Sequence, residues 1–329
     1  MAEPYLIADI GGTNTRFALA CEGAVLWPTL LAYPTADFDS LEAAATLYLT
    51  PQRARVSEAC IALAGPLRDG SIALTNGSWY TERDALKTAM GWDRLTVLND
   101  FAALALGLPQ FDANQLTQIG GGSPVAGPCV VLGPGTGFGA AVLVESSAGP
   151  LVLPSEAGHA ALGAADADEL ELFDWLLREL GTEHGAAYRE LLWSGSGLEL
   201  LERGWSALRG WRQPPRTAPQ IVADALAEEP RAGFVLDGFC ALLGATARDL
   251  ALTFGARGGV YIAGGIVRRF VPFLRRSRFR ERFESSAKLR DYLAPIPTWV
   301  ITESGAGLIG AAAAHRANGD LSAPRPAPG

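Results

Sequence analysis

The stretch Leu6-Ile7-Ala8-Asp9-Ile10-Gly11-Gly12-Thr13-Asn14-Thr15-Arg16-Phe17-Ala18-Leu19-Ala20 decides how the rest of the chain is read. Two apolar runs of strand length flank a Gly-Gly-Thr-Asn turn, the pattern of a β-hairpin whose tip lies close to something. Glycine tolerates positive φ and leaves room for a ligand against the main chain, and Asp9 stands where the first strand ends. Two readings are open at this point. The turn is either a phosphate cradle with a carboxylate near a metal ion, or an ordinary tight hairpin whose glycines serve the turn alone.

The surrounding totals narrow the class of protein. At 329 residues the chain has room for two domains or one large α/β unit. Hydrophobic residues make up 49% and charged residues 19%, the balance of a globular protein with ample core. A net charge of −8 leaves no broad basic face, so neither general nucleic-acid binding nor binding to an anionic membrane is expected. A nucleotide can still be held locally by main-chain amides and Mg²⁺. The four cysteines, Cys21, Cys60, Cys129 and Cys240, form no Cys-x-x-Cys pair and read as reduced core residues. Met1-Ala2-Glu3-Pro4 has no basic region of a secretory signal, and every apolar run is broken before the ~18 residues of a membrane span. The expected location is the cytoplasm.

Along the chain, Ala24–Tyr33 reads as a third strand and Phe38–Leu49 as a helix. Ala59–Ala64 is a buried strand ending at Gly65-Pro66, and Ile72–Leu74 leads into the loop Thr75–Trp79. Thr81–Met90 reads as a helix with Thr81 as N-cap, Leu95–Leu98 as a strand, and Phe101–Leu108 as a helix. Strand, glycine turn and strand then recur at Cys129–Leu132, Gly133–Gly137 and Phe138–Val144, which suggests duplication. Helices follow over Asp166–Gly210, Thr217–Glu228 and Ala232–Phe254. Strands at Gly259–Ala263 and Thr298–Ile301 precede a small-residue helix at Gly305–Arg316. Alternating elements of this kind make an α/β protein.

Glycine-bearing turns thus follow apolar strands at Gly11-Gly12, Gly65-Pro66, Gly133–Gly139 and Gly264-Gly265. Open α/β sheets bind ligands at the carboxyl ends of strands, so such turns can converge on one cleft. None is a Walker A, because no lysine follows the glycines, and none is a Gly-x-Gly-x-x-Gly. Phosphates would be held by main-chain amides, hydroxyls such as Thr13 and Thr136, and a metal ion. Asp100, at a strand end before a helix, is either presented to a cleft as a base or serves as that helix's N-cap.

Five motifs in register resemble the bacterial ATP-dependent glucokinase family: Asp9-x-Gly-Gly-Thr-Asn14, Leu98-Asn99-Asp100-Phe101, Gly133-Pro-Gly-Thr-Gly-x-Gly139, Leu153-Pro-Ser-Glu156-Ala-Gly-His159 and Val260-Tyr-Ile-Ala-Gly-Gly-Ile266. They run in order through Tyr5–Arg316. The resemblance implies a duplicated actin-like (ribonuclease H-like) ATPase fold, with two α/β domains hinged around a cleft. The smaller domain would comprise residues 1–110 plus 302–317 and the larger residues 111–301 with a helical insertion, leaving 318–329 as a flexible tail. It implies ATP and Mg²⁺ as cofactors, glucose as substrate, and a homodimer. Gly11, Gly12, Thr13 and Asn14 would form one phosphate hairpin and Gly133, Gly135, Thr136 and Gly137 the other. Gly264 and Gly265 would border the adenosine, and Asp9 would face the metal through water. Asp100 would take the proton of the sugar 6-hydroxyl, beside Asn99, Glu156 and His159 on the sugar.

Two further positions carry alternatives. Glu190 aligns with a sugar-contacting glutamate, but Arg189-Glu190 also reads as a solvated helix face; Asn76 matches a motif near the sugar, but also reads as a turn residue. Ser155 and Ala157 stand where the family usually has glycine. A zinc site is not expected, since the histidines are His159, His184 and His315 and no cysteine lies between Cys129 and Cys240. Arg268–Arg282, with seven arginines among phenylalanines, reads as an amphipathic surface segment. The rival activities are a kinase for fructose or mannose, a non-catalytic sugar sensor on the same fold, and an ATPase of the actin or heat-shock type. A sensor would be expected to carry a helix-turn-helix, for which no room is expected before Tyr5.

Overall fold

The computed structural model describes residues 2–52, 56–65, 70–74, 79–147, 149–181 and 187–316. In chain order the strands are β1 (Tyr5–Ile10), β2 (Asn14–Cys21), β3 (Ala24–Pro34), β4 (Glu58–Leu63), β5 (Ser71–Ala73), β6 (Tyr80–Glu82), β7 (Arg94–Asn99), β8 (Leu116–Gly120), β9 (Cys129–Pro134), β10 (Phe138–Ser146), β11 (Gly149–Ser155), β12 (Gly259–Ile262) and β13 (Thr298–Ile301). The helices are α1 (Leu41–Gln52), α2 (Arg83–Met90), α3 (Asp100–Gly107), α4 (Ala167–Leu180), α5 (Arg189–Leu192), α6 (Gly195–Arg209), α7 (Ala218–Leu226), α8 (Pro230–Phe254), α9 (Val271–Arg276), α10 (Phe279–Glu284), α11 (Arg290–Leu293) and α12 (Ala306–Arg316). Two compact units divide the chain: Met1–Ala113 with Ala141–Pro154 and Glu303–Gly329, and Asn114–Ala140 with Ser155–Thr302.

The first unit is built on a five-stranded sheet in the order β3-β2-β1-β4-β7. β1 and β2 form the expected antiparallel hairpin, with Asp9 opposite Arg16, while β1, β4 and β7 run parallel. Leu6, Ala8, Ile10, Phe17 and Ile61 pack with Tyr48 of α1, Trp79 and Trp92 in one core. α12 closes the unit from the far end of the chain. Its small residues let it lie on α3: a Cβ added at Gly310 would come 2.0 Å from the Ala103 carbonyl oxygen. The Tyr5 hydroxyl donates to the Ala312 carbonyl at 3.3 Å.

A six-stranded sheet runs β11-β10-β9-β12-β13-β8, and of these β8, β9, β12 and β13 lie wholly in the second unit. β9, β12 and β13 are parallel to one another and β8 pairs antiparallel with β13. The 25-residue α8 is buried along most of its length, as a helix apolar on several faces must be. Gly244 admits α10 against it, since an added Cβ would come 2.2 Å from the Phe279 carbonyl oxygen.

One expectation is corrected and another holds. Thr81 is not an N-cap: it pairs with Ile72 in the ribbon of β5 and β6, and α2 begins only at Arg83, after Glu82. Arg268–Arg282 is the amphipathic segment expected, with Phe270, Phe273 and Phe279 buried, as is Phe283 beyond it, and Arg269, Arg275 and Arg276 exposed. Arg282 is also buried, its guanidinium 2.8 Å from Glu169.

Candidate active site

In the first unit, the loop between β1 and β2 is fastened from below. Thr35 donates its hydroxyl to the Gly11 carbonyl at 2.8 Å and its amide to the Thr13 carbonyl at 3.0 Å. Buried Thr15 supports it, hydroxyl to hydroxyl, at 3.0 Å. With those carbonyls engaged inward, Thr13 and Asn14 remain exposed, and a turn of this kind offers donors to an anion. Neither Gly11 nor Gly12 has positive φ, so chirality is not the reason for glycine here. The sequence offers no sign of Thr35, whose partners Gly11, Thr13 and Thr15 all lie far upstream on the β1–β2 hairpin.

Asp9 is held at the end of β1. Its carboxylate is 3.6 Å from Arg16, and its side chain is 20% exposed. A Cβ added at Gly307 would come 2.5 Å from the Asp9 Cγ, so the carboxylate rests on the first turn of α12, where helix amides favour negative charge.

Asn99 and Asp100 stand together where β7 meets α3. Asn99 is the N-cap: its Oδ1 accepts from the amides of Phe101 at 3.0 Å and Ala102 at 3.2 Å. Its Nδ2 reaches the Gly65 carbonyl at 3.4 Å. The capping reading of Asp100 therefore passes largely to Asn99. Asp100 accepts from the Phe101 amide at 2.9 Å, which orients its carboxylate at the helix start.

In the second unit, glycines let two segments interlock. A Cβ at Gly133 would lie 2.3 Å from the Ala263 carbonyl oxygen, and one at Gly264, which has φ of +108°, would lie 2.0 Å from that of Pro134. Gly135 donates to the Gly137 carbonyl at 2.7 Å, closing the turn that leaves Thr136 exposed. Gly265 is exposed beside it in sequence.

Glu156 precedes and His159 ends a short 3-10 turn over Ala157–His159, and both are exposed. Ser155 accounts for one departure from glycine: its hydroxyl accepts from the Ala157 amide at 3.1 Å and so shapes the turn. The His159 ring stacks on Tyr188 with centroids 5.8 Å apart. Glu190 is not a solvated face residue; it is half-buried, and its Oε2 accepts from the Phe138 amide at 2.9 Å. Gly158 is forced by close approach, since its Cβ would lie 2.5 Å from the Phe138 carbonyl oxygen. Asn76 and His184 lie outside the described residues.

The family model for glucokinase matches residues 6–318. The chain belongs to the glucokinase family. Membership makes it an ATP-dependent hexose kinase, and the resemblance read from the five motifs holds over nearly the whole chain. It is 42% identical to a glucokinase of Chromobacterium violaceum over 99% of this chain and 93% of that one. It is 38% identical to a glucokinase of Marinobacter nauticus, over 95% and 98% respectively. The crystal structure of a glucokinase from an Antarctic psychrotroph superimposes with a TM-score of 0.81 at 38% identity, over 95% of this chain and 98% of that one. A ROK-family glucokinase of Streptomyces griseus, solved with glucose and AMPPNP, shares the fold at a TM-score of 0.64 and 20% identity, over 94% and 98%. The fold is accordingly the actin-like ATPase fold of the glucokinases and ROK sugar kinases. Among the described residues no helix is long and apolar enough to cross a membrane. Nor does any group of three or more His, Cys, Asp or Glu among them gather as a metal cage.

Proposed function

We propose that the chain transfers the γ-phosphoryl group of ATP to the 6-hydroxyl of D-glucose, with Asp100 as the base. The observation that carries this reading is the division of labour at the start of α3. Asn99 supplies the cap, so the neighbouring carboxylate is not needed for it. Phosphoryl transfer asks of the protein mainly positioning and a group to accept the hydroxyl proton. Glu156, His159 and Glu190 would bind sugar hydroxyls, with Asn99 and Asn76 as further sugar contacts. Asn99 would act chiefly by fixing Asp100. The loops at Gly11–Asn14 and Gly133–Gly137 would hold the phosphates, and Gly264-Gly265 would border the adenosine.

Mg²⁺ fits this set. A single partly exposed carboxylate, Asp9, beside a donor-rich turn and without a protein cage, suits an ion held mainly by phosphate oxygens and water. When bound, the ion would neutralise phosphate charge. Asp9 would orient its water shell and leave proton transfer to Asp100. The working enzyme would be a cytoplasmic homodimer feeding glycolysis; light scattering tests the dimer.

The functional test is ADP release by the purified protein with Mg²⁺ and a panel of hexoses. Glucose-dependent release is expected. ADP release that needs no sugar, or that prefers fructose or mannose, would replace this reading.

A further inference from the structure

Glu190 touches two pieces of the site with one oxygen. Its Oε2 accepts the Phe138 amide at 2.9 Å. The same oxygen would lie 2.4 Å from a Cβ at Gly137 and 3.5 Å from one at Gly158. Gly137 and Phe138 end the second glycine hairpin, whereas Gly158 sits between Glu156 and His159. All of these groups belong to the second unit. The carboxylate thus lies where the two loops meet, in the space that a side chain on Gly137 would take. Oε1 makes no hydrogen bond among the described residues.

We infer that Glu190 couples the sugar to the nucleotide: a sugar hydroxyl donating to Oε1 fixes the carboxylate, and the carboxylate fixes the hairpin amides that hold phosphate. The inference rests on the functional reading above and deepens it. A carboxylate anchored through Oε2 alone leaves the Gly135–Phe138 turn looser than one held at both oxygens, so engaging Oε1 when sugar binds lowers the ordering cost for the nucleotide. Linkage makes the effect reciprocal, with glucose and nucleotide raising each other's affinity by the same factor. Glu190 is on this account a positioning residue toward ATP as well as a sugar contact.

Titration calorimetry of AMPPNP with Mg²⁺, with and without saturating glucose, tests it. In the unmodified protein glucose should tighten AMPPNP about fivefold or more. In Glu190→Gln, which keeps the volume but presents an amide, the factor should fall toward one. His159→Ala should weaken glucose yet keep the factor at saturating sugar. Hydrogen exchange supplies a measurement that needs no variant: glucose alone should slow the amides of Gly135–Phe138. Equal coupling in the unmodified protein and Glu190→Gln, or exchange there that glucose does not change, overturns the inference. Glucose turnover is measured alongside. Turnover absent sinks the functional reading and this inference together; turnover present with unchanged coupling sinks the inference alone.

Discussion

Asp100 and Asp9 are both carboxylates at strand ends, yet their surroundings give them different work. Asp100 sits at the first residue of α3 with its cap duty taken by Asn99. Asp100→Asn should lower kcat by about 10²–10⁴-fold, the usual range for a lost general base, with a modest change in KM for glucose. Near-normal kcat in the folded variant would remove Asp100 from the reaction. Asp9 rests on the first turn of α12, so Asp9→Ala should raise KM for Mg·ATP while leaving equilibrium glucose binding intact by calorimetry. Equal losses for both ligands would place it with the sugar instead. The placement of both residues was legible in the sequence, because a carboxylate that ends an apolar run beside a glycine turn or a helix start is carried to the open end of a sheet, not into its core. Asn99 was not legible as the cap. Two adjacent acceptors stand at the start of α3, and only the backbone path shows that Asn99 reaches both the Phe101 and the Ala102 amides. Thr35 was hidden for a related reason, since local spacing carries no trace of its bonds to Gly11 and Thr13.

Elements were readable to the extent that their periodicity was undiluted. The β1–β2 and β9–β10 hairpins follow directly from apolar runs broken by glycine. The three-residue strands β5 and β6 do not, being too short to show alternation, and their pairing overrode the cap signal at Thr81. The Arg and Phe segment was readable as amphipathic, but not that Arg282 would be buried against Glu169, a residue far from it in sequence. Packing also reverses a local preference in α12. Alanine is better than glycine in a helix by about 1 kcal/mol. Gly310→Ala should nevertheless destabilise the protein, because its Cβ would overlap the Ala103 carbonyl at 2.0 Å. Urea unfolding should show a lower midpoint, and a higher one would mean that α12 is free to move off α3. Gly264→Ala meets both a positive φ and the Pro134 carbonyl. It should cost about 1–3 kcal/mol from the backbone conformation alone and raise KM for ATP more than KM for glucose.

Taken over the whole chain, the two units should differ in their response to acid. In the first, His315 stacks on Tyr5 at 3.8 Å and contacts Glu58 at 2.7 Å, while its Nδ1 has no partner among the described residues. Burial, with Arg94 nearby, pushes its pKa below the ordinary 6.5. Below that value the unfolded chain takes up a proton that the folded one resists, so this contribution is full above pH 6.5 and is lost as pH falls. In the second unit, Arg216 holds the Glu229 carboxyl down to about 2 from 4.5. That contribution persists to pH 4.5 and is lost only below it, as the pH falls toward 2. Hydrogen exchange at stepped pH should therefore show β4 and α12 loosening before α8, and His315→Gln should delay the first event. The reverse order would contradict the assignment. These contacts could not be read from the sequence, since His315 and Glu58 are joined only by the fold. The return of α12 to β1 and α3 also bears on biosynthesis. The elements of the second unit all leave the ribosome before Arg316 does. The first unit, although begun earliest, stays open along the surface that α12 will cover until that helix has left the ribosome. Chains truncated before Ala306 and released from the ribosome should then show a protease-resistant second unit and a first unit still susceptible to cleavage.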